Sequence, residues 1–185
     1  MSMHEATMMP AGTKARLLLF TGDGKGKTTA ALGMMLRAAG HGMTSLLVSF
    51  IKSDETGELV ALRRLAGVEA RQVGCGFVMQ SDDATQMGRH RAAAVAGLIQ
   101  ATADIASGRY RLVVLDEVCS AVALGLLEEA AVCEAVRAAQ EGSIVVMTGR
   151  DAPAGLIAMA DTVTEMGCIR HGYDLGFPAM AGVEF

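Results

Sequence analysis

A glycine-rich loop between an apolar run and a helical pattern constrains the fold of this chain more than any other feature. The apolar run covers residues 15–20, the loop contains Gly22, Gly24 and Gly26, and residues 27–40 repeat apolar side chains at helical spacing. A short apolar run bounded by glycine is typical of a buried parallel strand, and glycines also close the helical pattern. Strand, loop and helix in this order predict an α/β fold.

Apolar runs and helical patterns continue to alternate along the rest of the chain. Further strands are predicted over residues 44–51, 68–74, 110–117, 143–149 and 161–169. Helices are predicted over residues 57–67, over an alanine-rich stretch ending near Ser107, and over residues 126–141 and 153–160. Strands that alternate with helices form βαβ units, so we expect a mainly parallel sheet with helices on both faces.

Composition and charge exclude several classes of protein. The 185 residues are 51% hydrophobic, which allows one sizeable core, but no apolar run of the length of a membrane span is present. Net charge is −4 with scattered basic residues, which argues against a nucleic-acid surface. The four cysteines are widely spaced and predict neither a zinc site nor a disulfide framework. Without a secretory signal pattern at the start, we expect a cytoplasmic protein with no membrane partner.

The glycine-rich loop resembles a nucleotide-binding motif but is one residue tighter than usual. The common pattern is G-x-x-x-x-G-K-[ST] between a strand and a helix. Gly26, Lys27 and Thr28 supply its second half, whereas Thr21 stands where the first glycine belongs and Gly22 follows it. In this context the motif predicts a single P-loop NTPase-like domain over residues 16–185, after a flexible N-terminal extension over residues 1–15.

The chemistry of this loop suits a polyphosphate. Its glycines permit backbone torsions that turn successive N–H groups inward, and the following helix directs its positive end at the same anion. Lys27 adds a full positive charge, Lys25 offers a second, and the Thr28 hydroxyl can bind Mg²⁺. ATP or a close relative is therefore the expected ligand; the alternative is a glycine-rich turn with incidental lysines.

Two adjacent carboxylates end the clearest strand of the sequence. Asp116 and Glu117 follow the apolar run of residues 110–115. A carboxylate at such a strand end holds Mg²⁺ directly or through water in many nucleotide-binding sites. The alternative is a solvated strand end, and the upstream loop favours the metal site.

Several segments together resemble one enzyme family. These are FTGDGKGKTTAALGMMLRAAGHG, SFIKSDETGE, GCGF, VVLDEV, VVMTGR and the ending ADTVTEM…IRHGYDLGFPAMAGVEF. From about Arg16 to Phe185 the chain is similar to the ATP:corrinoid adenosyltransferases. The resemblance implies attack by Co(I) of a reduced corrinoid on the 5′ carbon of ATP, with inorganic triphosphate leaving and the nucleotide lying reversed in the loop. Cobalt supplies the electrons, so no side-chain nucleophile is required.

The resemblance also assigns roles to individual residues. The triphosphate would be held by Gly22, Asp23, Gly24, Lys25, Gly26, Lys27, Thr28 and Thr29. Lys27, Thr28 and Glu117 would be the catalytic residues. Thr28 and Glu117 would hold Mg²⁺, with Asp116 behind them. Arg150 matches a family arginine near the nucleotide; a surface charge is the alternative.

The partners of the reaction follow from the same resemblance. The substrates would be ATP and a corrinoid, in adenosylcobalamin biosynthesis or salvage. Co(II) must first be reduced to Co(I), and the sequence shows no redox motif, so an external donor such as a reduced flavin or flavoprotein is implied. The family also implies a homodimer.

Two alternative functions stay open at this point. A P-loop kinase or ATPase uses the same loop and carboxylates but releases ADP and phosphate. A non-catalytic nucleotide- and corrinoid-binding protein would bind corrinoid without adenosylating it.

The expected corrinoid-binding segment departs from the family pattern. Family members often read GTGFTW, with an aromatic pair thought to displace the lower axial ligand of cobalt. Here the segment reads GCGFVM: Phe77 is kept, but Met79 stands in place of tryptophan. Both residues are expected to line the corrinoid pocket, although ordinary core packing is an alternative.

The methionine generates a prediction about the bound corrinoid. Methionine is apolar but flexible, so Met79 wedges less rigidly than tryptophan. We predict weaker enforcement of four-coordinate Co(II), or a preference for corrinoids without a bulky lower ligand. The measurement is the spectrum of the Co(II) corrinoid bound together with ATP. A complete four-coordinate signature with cobalamin contradicts this prediction.

Overall fold

Six parallel strands form one sheet in a computed structural model that describes residues 14–76, 78 and 83–184. The order across the sheet is β3-β2-β4-β5-β1-β6, and every adjacent pair is parallel. The strands are β1 (Arg16–Thr21), β2 (Ser45–Ser49), β3 (Val68–Gln72), β4 (Leu112–Asp116), β5 (Ile144–Thr148) and β6 (Thr162–Glu165). Most of the expected extension, residues 1–13, lies outside the described residues.

Helices follow the strands. They are α1 (Lys27–Gly40), α2 (Gly57–Leu62), α3 (Ala84–Ser107), α4 (Val118–Ala123), α5 (Glu129–Arg137) and α6 (Ala154–Met159), with a short 3₁₀ helix at Tyr173–Leu175. The long α3 begins with a capping box, in which the Asp83 carboxylate accepts from the backbone N–H groups of Thr85 and Gln86. No described helix is long and apolar enough to cross a membrane.

The structure differs from the sequence-based expectation most clearly after β4. The six-residue α4 was not predicted, and α5 is shorter than the predicted helix over residues 126–141. Leu126 and Leu127 are buried in the connection between them rather than on the helix. Two consecutive leucines just before a helix fit its apolar pattern. The sequence therefore placed the start of the helix too early, in a buried loop.

Helices cover both faces of the sheet, as the alternation of strands and helices predicted. Leu17 and Leu19 of β1 pack in a layer with α3, α4, α5 and α6, whereas Leu18 and Phe20 face α1 and α2. Successive side chains of a strand point to opposite faces, so a continuously apolar strand supplies both layers at once. This explains why the four inner strands, β1, β2, β4 and β5, read as apolar runs, whereas the edge strands β3 and β6 are more polar and less buried.

The strand order brings widely separated loops to one edge. Because all strands are parallel, their carboxyl ends meet at the same edge of the sheet. The chain leaves β1, crosses over through α1 to β2, and returns to fill the space between them with β4 and β5. Ligands of open α/β sheets bind outside the carboxyl ends, where the direction of strand addition reverses.

The connection after β2 is hydrogen-bonded to β4 and to the segment that follows β3. The Phe50 N–H donates to the Asp116 carbonyl oxygen over 3.0 Å, and the Gly76 N–H donates to the Ile51 carbonyl oxygen over 3.1 Å. Gly74 lies so close that a Cβ atom there would stand 2.3 Å from the Ile51 carbonyl oxygen. Glycine is therefore required for this approach, and the backbone of the connection has little freedom.

We predict that Gly74→Ala destabilises the protein by about 1–3 kcal/mol, because the new methyl group meets backbone rather than a flexible side chain. The matched control is Gly33→Ala, in the exposed interior of α1, where an added Cβ contacts nothing within 4 Å. That control should be neutral or stabilising by up to about 1 kcal/mol. Urea unfolding measures both; equal stabilities would contradict the packing argument.

Candidate functional site

A cleft of about 880 Å³ opens at the carboxyl edge of the sheet. It runs from the loop between β1 and α1 across the ends of β5 and β4 to the connections after β2 and β3. The end of the chain closes another side, through Gly182, Val183 and Glu184. The parallel arrangement thus gathers into one space side chains that are distant in sequence.

The glycine-rich loop is held in shape by the residues after β6. Gly26 has a φ of 119°, a left-handed conformation that favours glycine. The Gly24 N–H donates to the Met166 carbonyl oxygen over 2.7 Å, and a Cβ on Gly24 would lie 2.6 Å from that oxygen. Two glycines are therefore needed for different reasons: one for its torsion angle and the other for a close backbone approach.

The Lys27 ammonium lies inside this loop. Its Nζ donates to the carbonyl oxygens of Gly22 over 2.6 Å and of Gly24 over 2.7 Å, and the residue is 7% exposed. Burial lowers the pKa of Lys27, while the Glu117 carboxylate opposes this shift. A positive charge bound to two carbonyl oxygens is positioned before any anion arrives.

Asp116 lies beneath the first turn of α1 and joins it to two strands. The carboxylate is 2% exposed, and its Oδ1 accepts from the Thr28 hydroxyl over 2.8 Å and from the Thr148 hydroxyl over 2.7 Å. Burial raises the pKa of Asp116, and the bond from Thr148 works against that shift. Because the Thr28 hydroxyl donates its hydrogen bond to Asp116, the lone pairs of its oxygen remain available to bind a cation.

Glu117 is presented to the cleft by an unusual backbone conformation. Its φ is 59°, which is left-handed, and its N–H donates to the Thr148 hydroxyl over 2.9 Å. The Ser120 hydroxyl donates to Glu117 Oε2 over 2.5 Å and accepts from the Arg150 N–H over 3.0 Å. The ends of β4 and β5 are thus tied together by polar side chains around one carboxylate.

Two charged side chains reach the outer side of the loop. The Arg150 guanidinium donates to the Asp23 carbonyl oxygen over 3.3 Å, and its Nε lies 3.9 Å from the Asp23 carboxylate. Lys25 forms an ion pair of 3.4 Å with Glu184 near the end of the chain. Each of these side chains is substantially exposed, so the pairs can rearrange around a ligand at low cost.

The structure brings most of the predicted site residues together. Lining the cleft are Asp23, Gly24, Lys25, Gly26, Lys27, Thr28, Thr29, Glu117 and Arg150. The Gly22 carbonyl is bonded to Lys27, and Asp116 lies below Thr28 rather than in the cleft. Phe77 and Met79 lie outside the described residues, although their neighbour Val78 lines the cleft. The roles of these residues in binding stay predictions.

Sequence reasoning did not assign roles to several residues of the site. Thr148 and Ser120 orient the two carboxylates, while Lys52 and Glu58 line the cleft beyond the loop. Lys52 and Glu58 lie in the segment SFIKSDETGE, and Thr148 lies in VVMTGR. Both segments contributed to the family resemblance, so the sequence carried a signal for these three residues. Ser120 had a signal only in its helical spacing of three residues from Glu117.

The donor set at Thr28 and Glu117 fits a hard divalent cation. A hydroxyl oxygen and a carboxylate oxygen beside a phosphate loop are ligands that Mg²⁺ accepts, with phosphate oxygens and water filling the remaining positions. Within the described part of the chain, no group of three or more His, Cys, Asp or Glu side chains forms a metal cage.

Comparisons with known proteins agree with this geometry. Residues 13–185 match the model of the family described as ATP:corrinoid adenosyltransferase BtuR/CobO/CobP. The chain is 41% identical over 171 residues to a corrinoid adenosyltransferase of Pseudomonas aeruginosa, covering 91% of this chain and 83% of that protein. It is 33% identical over 169 residues to the corrinoid adenosyltransferase CobA of Salmonella typhimurium, covering 91% and 85%. The chain therefore belongs to the ATP:corrinoid adenosyltransferase family.

Proposed function

We propose that this protein transfers the 5′-deoxyadenosyl group of ATP to Co(I) of a reduced corrinoid and releases inorganic triphosphate. In this reaction the cobalt electron pair forms the Co–C bond, the bond between C5′ and oxygen breaks, and its electrons stay on the triphosphate. Corrinoid adenosyltransferases from three bacterial sources share 33–41% identity with this chain. The activity requires a triphosphate site joined to a space for a large second substrate.

The continuous cleft is the structural observation that carries the proposal. It extends from the phosphate loop to Val78, beside the segment expected to contact corrinoid. A kinase needs its acceptor at the terminal phosphorus, whereas this reaction needs the acceptor at the carbon end of the triphosphate. A cleft that continues from the loop to Val78 leaves space for that carbon and its attacking cobalt.

We assign the loop the task of stabilising the departing triphosphate. In this assignment Lys27 faces a group whose negative charge increases as the C5′–O bond breaks. Donors that are fixed before the reaction stabilise such a charge without reorganisation. Lys27 is already bonded to two carbonyl oxygens of the loop, and Arg150 reaches the same loop from β5.

Mg²⁺ is the metal that we propose at Thr28 and Glu117. When bound, it neutralises charge on the phosphate oxygens and fixes their orientation. Asp116 fixes the Thr28 hydroxyl, and Ser120 fixes the Glu117 carboxylate, so both oxygen donors are held before the nucleotide arrives.

An external donor completes the proposed reaction, because the corrinoid must reach the Co(I) state. We propose a reduced flavin or flavoprotein for this role and a homodimer as the assembly. The buried Cys119 is a poor candidate for internal electron transfer, since burial raises the pKa of its thiol to about 12 and suppresses the reactive thiolate.

The first test identifies the products. With chemically reduced cobalamin and ATP under anaerobic conditions, we expect adenosylcobalamin and triphosphate in equal amounts. Lys27→Ala should lower the rate about 10²- to 10³-fold because a charge on the leaving group is lost. The control is Lys14→Ala, an exposed lysine preceding β1 at the opposite edge of the sheet. Release of ADP and phosphate would indicate a kinase or ATPase. Binding of corrinoid without adenosylation would indicate a non-catalytic binding protein.

The second test concerns the metal. We expect Glu117→Gln to raise the Mg²⁺ concentration for half-maximal activity about tenfold or more, because an amide oxygen binds the cation less strongly than a carboxylate. Glu134→Gln, on the exposed side of α5, is the matched control. Activity is titrated with Mg²⁺ at fixed ATP. Identical Mg²⁺ dependence in both variants would argue against Glu117 as a ligand.

A further inference from the structure

A lysine in the cleft lies apart from the phosphate loop. Phe50 and Ile51 are buried immediately after β2, and Lys52 then emerges into the cleft with its side chain 25% exposed. Between the strand that carries the loop and the strand that precedes Lys52 lie β5 and β4. Three strand spacings of about 4.8 Å therefore separate the two positions along the cleft.

The backbone around Lys52 is fixed on both sides. Phe50 is bonded to β4 and Ile51 to the segment after β3, through the two backbone hydrogen bonds given above. On the other side of Lys52, the Gln72 side-chain amide donates to the Asp54 carbonyl oxygen over 2.7 Å. A side chain on such an anchored connection reaches a defined part of the cleft, which is what a substrate contact needs.

The charge of Lys52 is only loosely balanced in the structure. Its Nζ lies 3.9 Å from Glu58 Oε1, longer than a hydrogen bond, and both side chains are about one quarter exposed. Burial raises the pKa of Asp116, at the end of the neighbouring strand β4, and the positive charge of Lys52 is a minor influence against that shift. Lys52 thus lines the same cleft as Thr28 and Glu117, and among the described residues its one close charged neighbour is Glu58, which leaves its ammonium able to bind a ligand.

We propose that Lys52 binds the phosphoryl group attached to the 5′ carbon and stabilises the charge on the oxygen that leaves. This inference rests on the proposed function. The loop lysines and Arg150 supply positive charge near β1 and β5, whereas the reacting carbon must lie in the open part of the cleft. As cobalt donates its electron pair to C5′, the C5′–O bond breaks and its pair moves onto the phosphoryl oxygen. Among the described residues that line the cleft, Lys52 is the lysine outside the phosphate loop, and we assign it to this oxygen.

Free triphosphate provides a test that does not depend on turnover. After the reaction this oxygen is terminal and carries more charge than in ATP, so Lys52 should contribute more to binding of triphosphate than to binding of ATP. We expect Lys52→Gln to weaken binding of inorganic triphosphate in the presence of Mg²⁺ about tenfold, measured by calorimetry, and ATP binding less than threefold. Lys52→Arg should keep most of the triphosphate affinity.

The kinetic arm measures kcat and both KM values with the same variants. For Lys52→Gln we expect kcat about 10²-fold lower, with the KM for corrinoid unchanged. Arg64→Gln is the matched control, because Arg64 lies just after α2, is exposed and does not line the cleft. Thermal unfolding shows whether Lys52→Gln is folded. If it is not, the same measurements are made on Lys52→Met, which keeps the apolar stem of the side chain.

The outcomes separate this inference from the proposed function. Unchanged kcat and unchanged triphosphate binding in a folded variant overturn the role of Lys52 while the adenosyltransferase activity stands. A change confined to the KM for corrinoid also overturns it, and assigns Lys52 to the corrinoid instead. If the wild-type protein releases ADP rather than triphosphate, the proposed function itself fails.

Discussion

Asp116 is the buried group through which the parts of the site are joined. Its carboxylate accepts hydrogen bonds from Thr28 on α1 and from Thr148 on β5, and it belongs to β4 itself. A buried carboxylate without partners would be strongly unfavourable, so the two hydroxyl donors are required for its burial. Each hydrogen bond to such a charged group is worth about 1.5–3 kcal/mol. The phosphate loop and the neighbouring carboxylate are thereby kept in register.

The parallel sheet decides where this chemistry can occur. Every connection that follows a strand emerges at the same edge, so the loop after β1, Glu117 after β4, Arg150 after β5 and Lys52 after β2 face a common cleft. The two apolar layers on the faces of the sheet hold these strand ends rigidly. The cleft therefore lies at an edge of the sheet that the packed helices leave open.

The charges of the cleft suit a leaving group more than a nucleophile. The ammonium of Lys27 is buried within the loop, whereas the carboxylate of Glu117 accepts a hydrogen bond from Ser120 and lines the same cleft as Thr28. In the proposed reaction these positive groups and Mg²⁺ would surround the polyphosphate, and the attacking electrons would come from cobalt. This division of tasks explains how a phosphate-binding fold can serve a reaction at carbon: the protein stabilises what leaves and provides space for what attacks.

The sequence by itself determined the local features of this protein. It predicted the glycine-rich loop, the order of strands and helices, and the position of Asp116 and Glu117 at a strand end. Each of these features depends on residues that are close together in the chain. The short α4 was missed, since six residues give too little periodicity. Only the tertiary structure decided that Thr148 and Ser120 orient the carboxylates, that Arg150 reaches Asp23, and that Lys52 faces the site. These arrangements join segments that are distant in sequence, and they form only when the strands take their order in the sheet.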